Sequence, residues 1–310
     1  DDTDIVNSSL NREPIGTGPF QLAEWQSGSF IRFVKSERYR HSEDVDLDQI
    51  IYRIAGGSEA QRVALQRNEA DLLLHITLAD LRFVDTLPNY QVVQVPTFTW
   101  WHFWLNNDAP ILSERAVRQA LSHAIDKALI TEALMGDIVE PQDATLPPTH
   151  WAHNPDVASY PYDPELAAEL LEQAGWQLGS DGVRVKNGQP LRLEMLNISG
   201  QAERLQVVQT VQANWRAVGV DAVIREIDAA SFPPTMAQGD FQVAYGFFGE
   251  TQEPNWNLWL GTNWQNYENE EAFALLRQTA STLDREERRQ LILRFQEIIA
   301  DDAVMIPLAP

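Results

Sequence analysis

The sequence predicts an α/β fold with more than one domain. Its 310 residues, 44% of them hydrophobic, can bury one large or two ordinary cores. Along the chain, runs with the period-2 alternation of a strand give way repeatedly to runs with three-to-four helical spacing. No internal repeat or low-complexity tract is visible, which sets aside solenoids and coiled coils.

The elements follow in order. Residues 29–35 and 48–54 alternate as strands, and 58–69 carry Ala60, Val63, Ala64 and Leu65 at helical spacing. The aromatic run Trp100-Trp101-His102-Phe103-Trp104-Leu105 reads as a strand that ends in polar turn residues near 106–112, a candidate boundary. Alternation puts Trp101 and Phe103 on one side of that strand and Trp100, His102 and Trp104 on the other. From Ser113 to Met135 the apolar residues fall on one face, which predicts a single helix capped by Ser113 and stopped by Gly136. Residues 140–163 are rich in proline and aromatics and read as an ordered surface excursion, because Trp151, Tyr160 and Tyr162 need something to pack on. Asp163-Pro164 opens a helix over 164–174, closed by Gly175. Strand 191–197, helix 202–217 and strand 220–226 follow, an order that predicts mostly parallel pairing. Asp284, with Glu287 three residues on, caps a last helix to about 300, and 304–308 forms a short apolar strand.

Composition narrows function. With 23 basic and 45 acidic residues the formal net charge is −22, which disfavours nucleic acid and anionic membrane as partners. Cysteine is absent, so there is no disulfide framework and no thiolate nucleophile. No apolar run approaches the roughly 18 residues of a membrane span, and no basic-then-apolar leader opens the sequence. An acid-rich hydrolase is the competing class. The sequence holds no Gly-x-Ser-x-Gly elbow, no His-Glu-x-x-His and no Gly-Lys-Ser/Thr loop, and Pro19 follows Gly16-Thr17-Gly18 where a dinucleotide site needs a helix start. His150 and His153 lack a nearby acidic cluster of ligand spacing, so no metal and no cofactor are expected. Arg115, Arg118 and Asp126 are expected in structural ion pairs.

Motifs in register then carry a family resemblance. Pro14-Ile15-Gly16-Thr17-Gly18-Pro19-Phe20, Leu47-Asp48-Gln49-Ile50, Arg115 to Lys127 and Tyr162-Asp163-Pro164 come in the family's order. So do Leu170 to Trp176, Ala217-Val218-Gly219-Val220, Asn266-Tyr267-Glu268-Asn269 and Asp302 to Leu308. Together these resemble the extracellular solute-binding proteins of family 5, the oligopeptide- and dipeptide-binding components of ABC transporters. The resemblance implies a two-lobed, type II periplasmic-binding-protein-like fold, with mixed sheets flanked by helices and hinge strands between the lobes. It implies residues 1–106 as part of the first lobe, 107–302 as the second, and 303–310 as a return strand, with an N-terminal region of the family lying outside the sequence. The function it implies is not enzymatic. A monomer outside the cytoplasm, periplasmic or cell-surface-anchored, would close around a peptide or, alternatively, an oligosaccharide, and deliver it to ABC permease subunits. A sensory binding module is a further alternative.

By the same resemblance Glu250 stands where the family's acid meets a ligand amine, in Gly246-Phe247-Phe248-Gly249-Glu250. Phe247, Phe248 and Gly249 beside it, Trp256 and Trp259 after it, and Trp101, Phe103 and Asn106 on the presumed hinge strand complete the candidate ligand-binding set.

Overall fold

The computed structural model describes residues 8–54, 57–74, 78–95, 97–135, 139–254 and 257–310. The chain divides into two compact units, Asp1–Val92 and Val93–Pro310.

In the first unit β1 (Phe20–Gln26), β2 (Phe30–Lys35) and β3 (Gln49–Arg53) form an antiparallel sheet in sequence order. The β1–β2 turn closes on Gly28, whose φ of +73° suits a residue without a Cβ. Helices α1 (Ser58–Gln66) and α2 (Leu78–Val84) follow, tied by the ion pair of Arg62 with Asp80 at 2.7 Å. Leu65 and Val84 are the buried apolar side chains among the described residues of this unit.

The second unit is built on β4 (Thr99–Leu105). The expected single helix over 113–135 is two, α3 (Arg115–His123) and α4 (Lys127–Met135). The break has a local cause, because the Asp126 carboxylate accepts the Leu129 amide at 2.9 Å and starts a new helix there. Ser113 caps nothing, since its hydroxyl donates to the Pro110 carbonyl and α3 begins after Glu114. Helix α5 (Pro164–Gln173) is capped as expected by Asp163, which accepts the Leu166 amide at 2.9 Å. The short strands β5 (Gln177–Leu178), β6 (Arg184–Lys186) and β7 (Gln189–Pro190) make a small meander.

Next come β8 (Arg192–Ile198), α6 (Ala202–Ala217), β9 (Asp221–Ile227), α7 (Phe232–Ala237) and β10 (Val243–Gly249). Helices α8 (Glu270–Thr279) and α9 (Arg285–Asp301), the latter capped by Asp284, lead to β11 (Met305–Ala309). The main sheet runs β11-β4-β10-β8-β9. Parallel pairing is confined to β8 with β9 and β8 with β10; β4 is antiparallel to both its neighbours. The prediction of mostly parallel pairing is therefore corrected. Only the β8-α6-β9-α7-β10 stretch supplies the helical crossovers that parallel neighbours require.

Both faces of this sheet are covered. Phe103 and Leu105 pack with Val207, Val211 and Trp215 of α6 and with Leu121 of α3. Trp100 and Trp104 pack on the other face with Met236 of α7, Leu276 of α8 and Phe295 of α9. The alternation of the aromatic strand is thus used on both sides, and what remains open is the end of the sheet.

Candidate functional site

In sheets with parallel strands, ligands bind outside the carboxyl ends, where neighbouring strands diverge. Here β10 and β8 pair only through Val243–Met195 and Ala244–Leu196, and then separate. Beyond that point β10 stays on β4 alone, with Tyr245 opposite Phe103, Phe247 opposite Trp101 and Gly249 opposite Thr99. The consequence is an aromatic step at the open end. Trp101 stacks on Tyr245 at 5.5 Å and meets Phe247 at 5.0 Å, while Phe247 itself is 55% exposed. On the opposite face Phe248 packs T-shaped with Trp100 at 5.6 Å.

Two glycines make the close packing here possible. A Cβ on Gly246 would lie 2.4 Å from the Trp104 ring, and one on Gly249 would lie 2.9 Å from the Thr99 hydroxyl. The ladder runs one residue past the strand, the Glu250 amide donating to the Phe98 carbonyl at 3.0 Å, so the side chain of Glu250 is held at a fixed station and is only 8% exposed.

The loop after Glu250 is clamped from another part of the chain. The His150 ring reaches the Thr251 carbonyl at 3.3 Å, and the Trp151 indole donates to the Gln252 carbonyl at 2.6 Å. Because Nδ1 of His150 accepts the Ala152 amide, Nε2 carries the proton and donates. Burial pushes this imidazole below the ordinary histidine range. Arg285 and Arg288 lie over the Trp151 ring at 4.6 and 5.7 Å, and Arg288 also pairs with Glu253 at 2.7 Å.

Between the diverging strands sits a cation with no counterpart in the sequence reading. Arg204, 5% exposed in the first turn of α6, donates to the Tyr245 carbonyl and lies over the Tyr245 and Trp101 rings at 4.9 and 5.5 Å. Burial lowers its pKa and raises that of Tyr245. No local motif marks Arg204; its one signal is position, a basic residue in the first turn of a helix that follows directly on a strand.

The structure places the other candidates elsewhere. Phe103 is fully buried between Tyr245 and Trp215, and Trp259 packs T-shaped on Phe295 in the core. Asn106 stands at the far end of β4, where it donates to the Phe241 carbonyl and accepts from Asn266, both at 3.0 Å. Trp256 lies outside the described residues. Arg118 is structural, its guanidinium spread over the carbonyls of Leu112, Ser113, Asp302 and Ala303. His153 bonds the Leu146 carbonyl at 2.8 Å. Among the described residues, the His41, Glu43 and Asp44 side chains bring donor atoms within 4.8 Å of one another, and all three are exposed. A polar pocket of about 540 Å³ opens at the Asn107 end of β4, but Arg118 and Tyr267 on its wall are already bonded to the protein, the latter to Asp302 at 2.6 Å. It carries no aromatic step, so the Glu250 end is taken as the candidate.

Comparison with known proteins gives the family. Residues 1–269 match the family model of bacterial extracellular solute-binding proteins, family 5, middle region. Heme-binding protein A of Haemophilus influenzae is 28% identical over 317 residues, covering 97% of this chain and 55% of that protein. The dipeptide-binding protein of Escherichia coli is 26% identical over 315 residues, covering 97% and 56%. The crystal structure of NikZ from Campylobacter jejuni in complex with Ni(L-His) superposes with a TM-score of 0.87 at 23% identity, over 97% of this chain and 62% of that one. The chain thus spans a little over half the length of these curated relatives. Among the described residues no helix is long and apolar enough to cross a membrane. With the family model matching most of its length, the chain belongs to the bacterial extracellular solute-binding proteins of family 5.

Proposed function

We propose that this chain is the ligand-capturing part of an ABC importer and takes a peptide-like solute at the Glu250 end of the main sheet. The observation that carries the reading is the buried carboxylate of Glu250 on a clamped loop beside the exposed Trp101–Phe247 step. A carboxylate held in a poorly hydrated place makes a charge-assisted bond to an ammonium, roughly twice as strong as a neutral one. Phe247 and Trp101 then accept side chains of many kinds by area rather than by hydrogen-bond pattern, while Gly249 lets backbone pass close to Thr99. Closure about β4 and β11 as hinge strands, followed by handover to permease subunits from a periplasmic or cell-surface position, completes the proposal. The molecule acts as a monomer without a cofactor.

The same aromatic step suits a sugar face, so an oligosaccharide is the second reading. Calorimetry of the full-length protein separates the two, using trialanine, N-acetyl-trialanine, cello- and xylo-oligosaccharides and Ni²⁺. Trialanine is expected to bind, with about 10- to 100-fold loss on N-acetylation or in Glu250→Gln. Binding of the sugars alone, indifferent to Glu250→Gln, would move the assignment to an oligosaccharide carrier.

A further inference from the structure

Among the described residues, four buried or half-buried histidines use their rings in two ways. His102, His123 and His153 turn Nδ1 toward a carbonyl, of Trp100, Pro161 and Leu146, and a second ring proton leaves such a bond intact. His150 does the reverse: its Nδ1 accepts the Ala152 amide at 3.1 Å, and its Nε2 donates to the Thr251 carbonyl at 3.3 Å. This pair of bonds exists only for the neutral ring. With a proton on Nδ1 two donors face each other, and Ala152 is fully buried, so water cannot replace the lost acceptor.

The ring sits where a loss of these bonds reaches Glu250. It is buried and packs T-shaped on Phe98 at 5.0 Å, and the Phe98 carbonyl accepts the Glu250 amide. Thr251, whose carbonyl the ring bonds, directly follows Glu250. His150 thus braces the Glu250 station from the β4 side and the β10 side at once. Its own turn is fixed by its amide on the Pro147 carbonyl at 2.9 Å and by the Thr149 hydroxyl, which donates to the Thr97 carbonyl at 3.1 Å. A charged ring keeps Thr251 only by leaving the Ala152 amide unpaired; turning out of the slot frees Thr251 and uncovers Phe98. The charges nearby do not offset this. Burial is the largest influence and lowers the pKa, Arg285 of α9 and His153 on the same turn add to the lowering, and the Thr251 carbonyl and Glu253 oppose it. Glu253 is already paired with Arg288, Glu250 is the next charge along that loop, and residues 97–99 before β4 contain no titratable group.

We propose that His150 is a positioning residue for Glu250 and works only as the neutral ring, so that the site holds its ligand at neutral pH and releases it in acid. This rests on the reading of Glu250 as the acceptor of a ligand amine. Above about pH 6.5 the ring is neutral whether the latch it forms is closed or open. Below that, an open latch takes up a proton that the closed one excludes, so acid opens it and affinity falls by up to about ten-fold per pH unit. The coupling is reciprocal: a ligand that needs the closed latch makes His150 harder to protonate.

The test uses the full-length protein with trialanine as probe, in calorimetry from pH 7.5 to 5.0 on the wild type and on His150→Gln, whose amide keeps a donor for the Thr251 carbonyl and does not titrate. Glu250 and the peptide amine titrate alike in both proteins, so the difference between the two profiles belongs to His150. Wild-type affinity is expected to fall about ten-fold more than that of the variant. In the empty proteins, amide exchange at residues 251–253, corrected for its intrinsic pH dependence, should accelerate in acid in the wild type and not in His150→Gln. Imidazole nitrogen shifts of the wild type should show the Nε2–H tautomer at neutral pH and a His150 pKa that drops further when trialanine binds. That measurement needs no variant, and a pKa indifferent to bound trialanine overturns the inference even if His150→Gln fails to fold. Parallel affinity profiles in the two proteins overturn it as well and leave the peptide reading standing. Acid-accelerated exchange that disappears in His150→Gln, with no trialanine bound at any pH, supports the latch and removes the peptide reading.

Discussion

His102 is the most deeply placed titratable group among the described residues, and its chemistry sets a limit on acid stability. It is fully buried on β4, with Trp104 at 4.2 Å and Trp100 at 5.8 Å, and its Nδ1 lies 3.4 Å from the Trp100 carbonyl. Burial pushes its pKa down to about 3, with the backbone contact opposing that only partly. The folded state therefore holds the neutral ring, whereas the unfolded chain protonates near pH 6.5. The stabilisation is fully present above about pH 6.5 and is lost as pH falls below it, at about 1.4 kcal/mol per pH unit, until the folded pKa is reached. Urea midpoints measured from pH 7 to pH 4 at constant ionic strength should fall accordingly. In His102→Asn they should start lower and decline less steeply. Equal slopes in the two proteins would show that the loss of stability comes from other groups.

At the scale of elements, what was readable depends on how far a side chain reaches along the sequence. The caps of α5 and α9 are bonds between residues three apart, Asp163 to Leu166 and Asp284 to Glu287, and local spacing announces them. Asp126 belongs to the same class, a cap where an ion pair is expected, but an unbroken apolar stripe spans the break between α3 and α4 and hides it. Asn106 and Arg118 are another matter. Asn106 bonds a carbonyl 135 positions away and Arg118 one 184 away, so their structural work is set by topology and leaves no local trace. The candidate site divides in the same way: the Gly246–Glu250 segment was legible as a motif, whereas Arg204 and the His150–Trp151 clamp become visible only when distant loops are brought together. That clamp carries a prediction. Trp151→Phe keeps a ring beneath Arg285 and Arg288 but removes the donor to the Gln252 carbonyl, a loss of about 1 kcal/mol. Amide exchange at residues 251–253 should accelerate while β4 and β10 stay protected, and affinity for an amine-bearing ligand should drop about five-fold. Unchanged exchange in that loop would mean that His150 and Arg288 suffice to hold it.

For the molecule as a whole, burial is distributed unevenly between the two units. The unit Val93–Pro310 contains the five-stranded sheet with an apolar cluster on each face. The unit Asp1–Val92 has a three-stranded sheet in which no strand residue is buried, and Ile15, Trp25, Leu47 and Ile51 stand exposed. Three strands are enough for independent stability only when their apolar face is covered, and conformational entropy of about 1–2 kcal/mol per ordered residue must be offset by burial that this unit, by itself, does not have. Residues 93–310 produced alone should therefore unfold in one cooperative urea transition. Residues 1–92 produced alone should show no cooperative transition and should lose amide protection first within the intact chain. A sharp transition from the isolated 1–92 segment would mean that its sheet draws stability from a source other than side-chain burial, with the Arg62–Asp80 bridge between α1 and α2 the first bond to remove in tracing it.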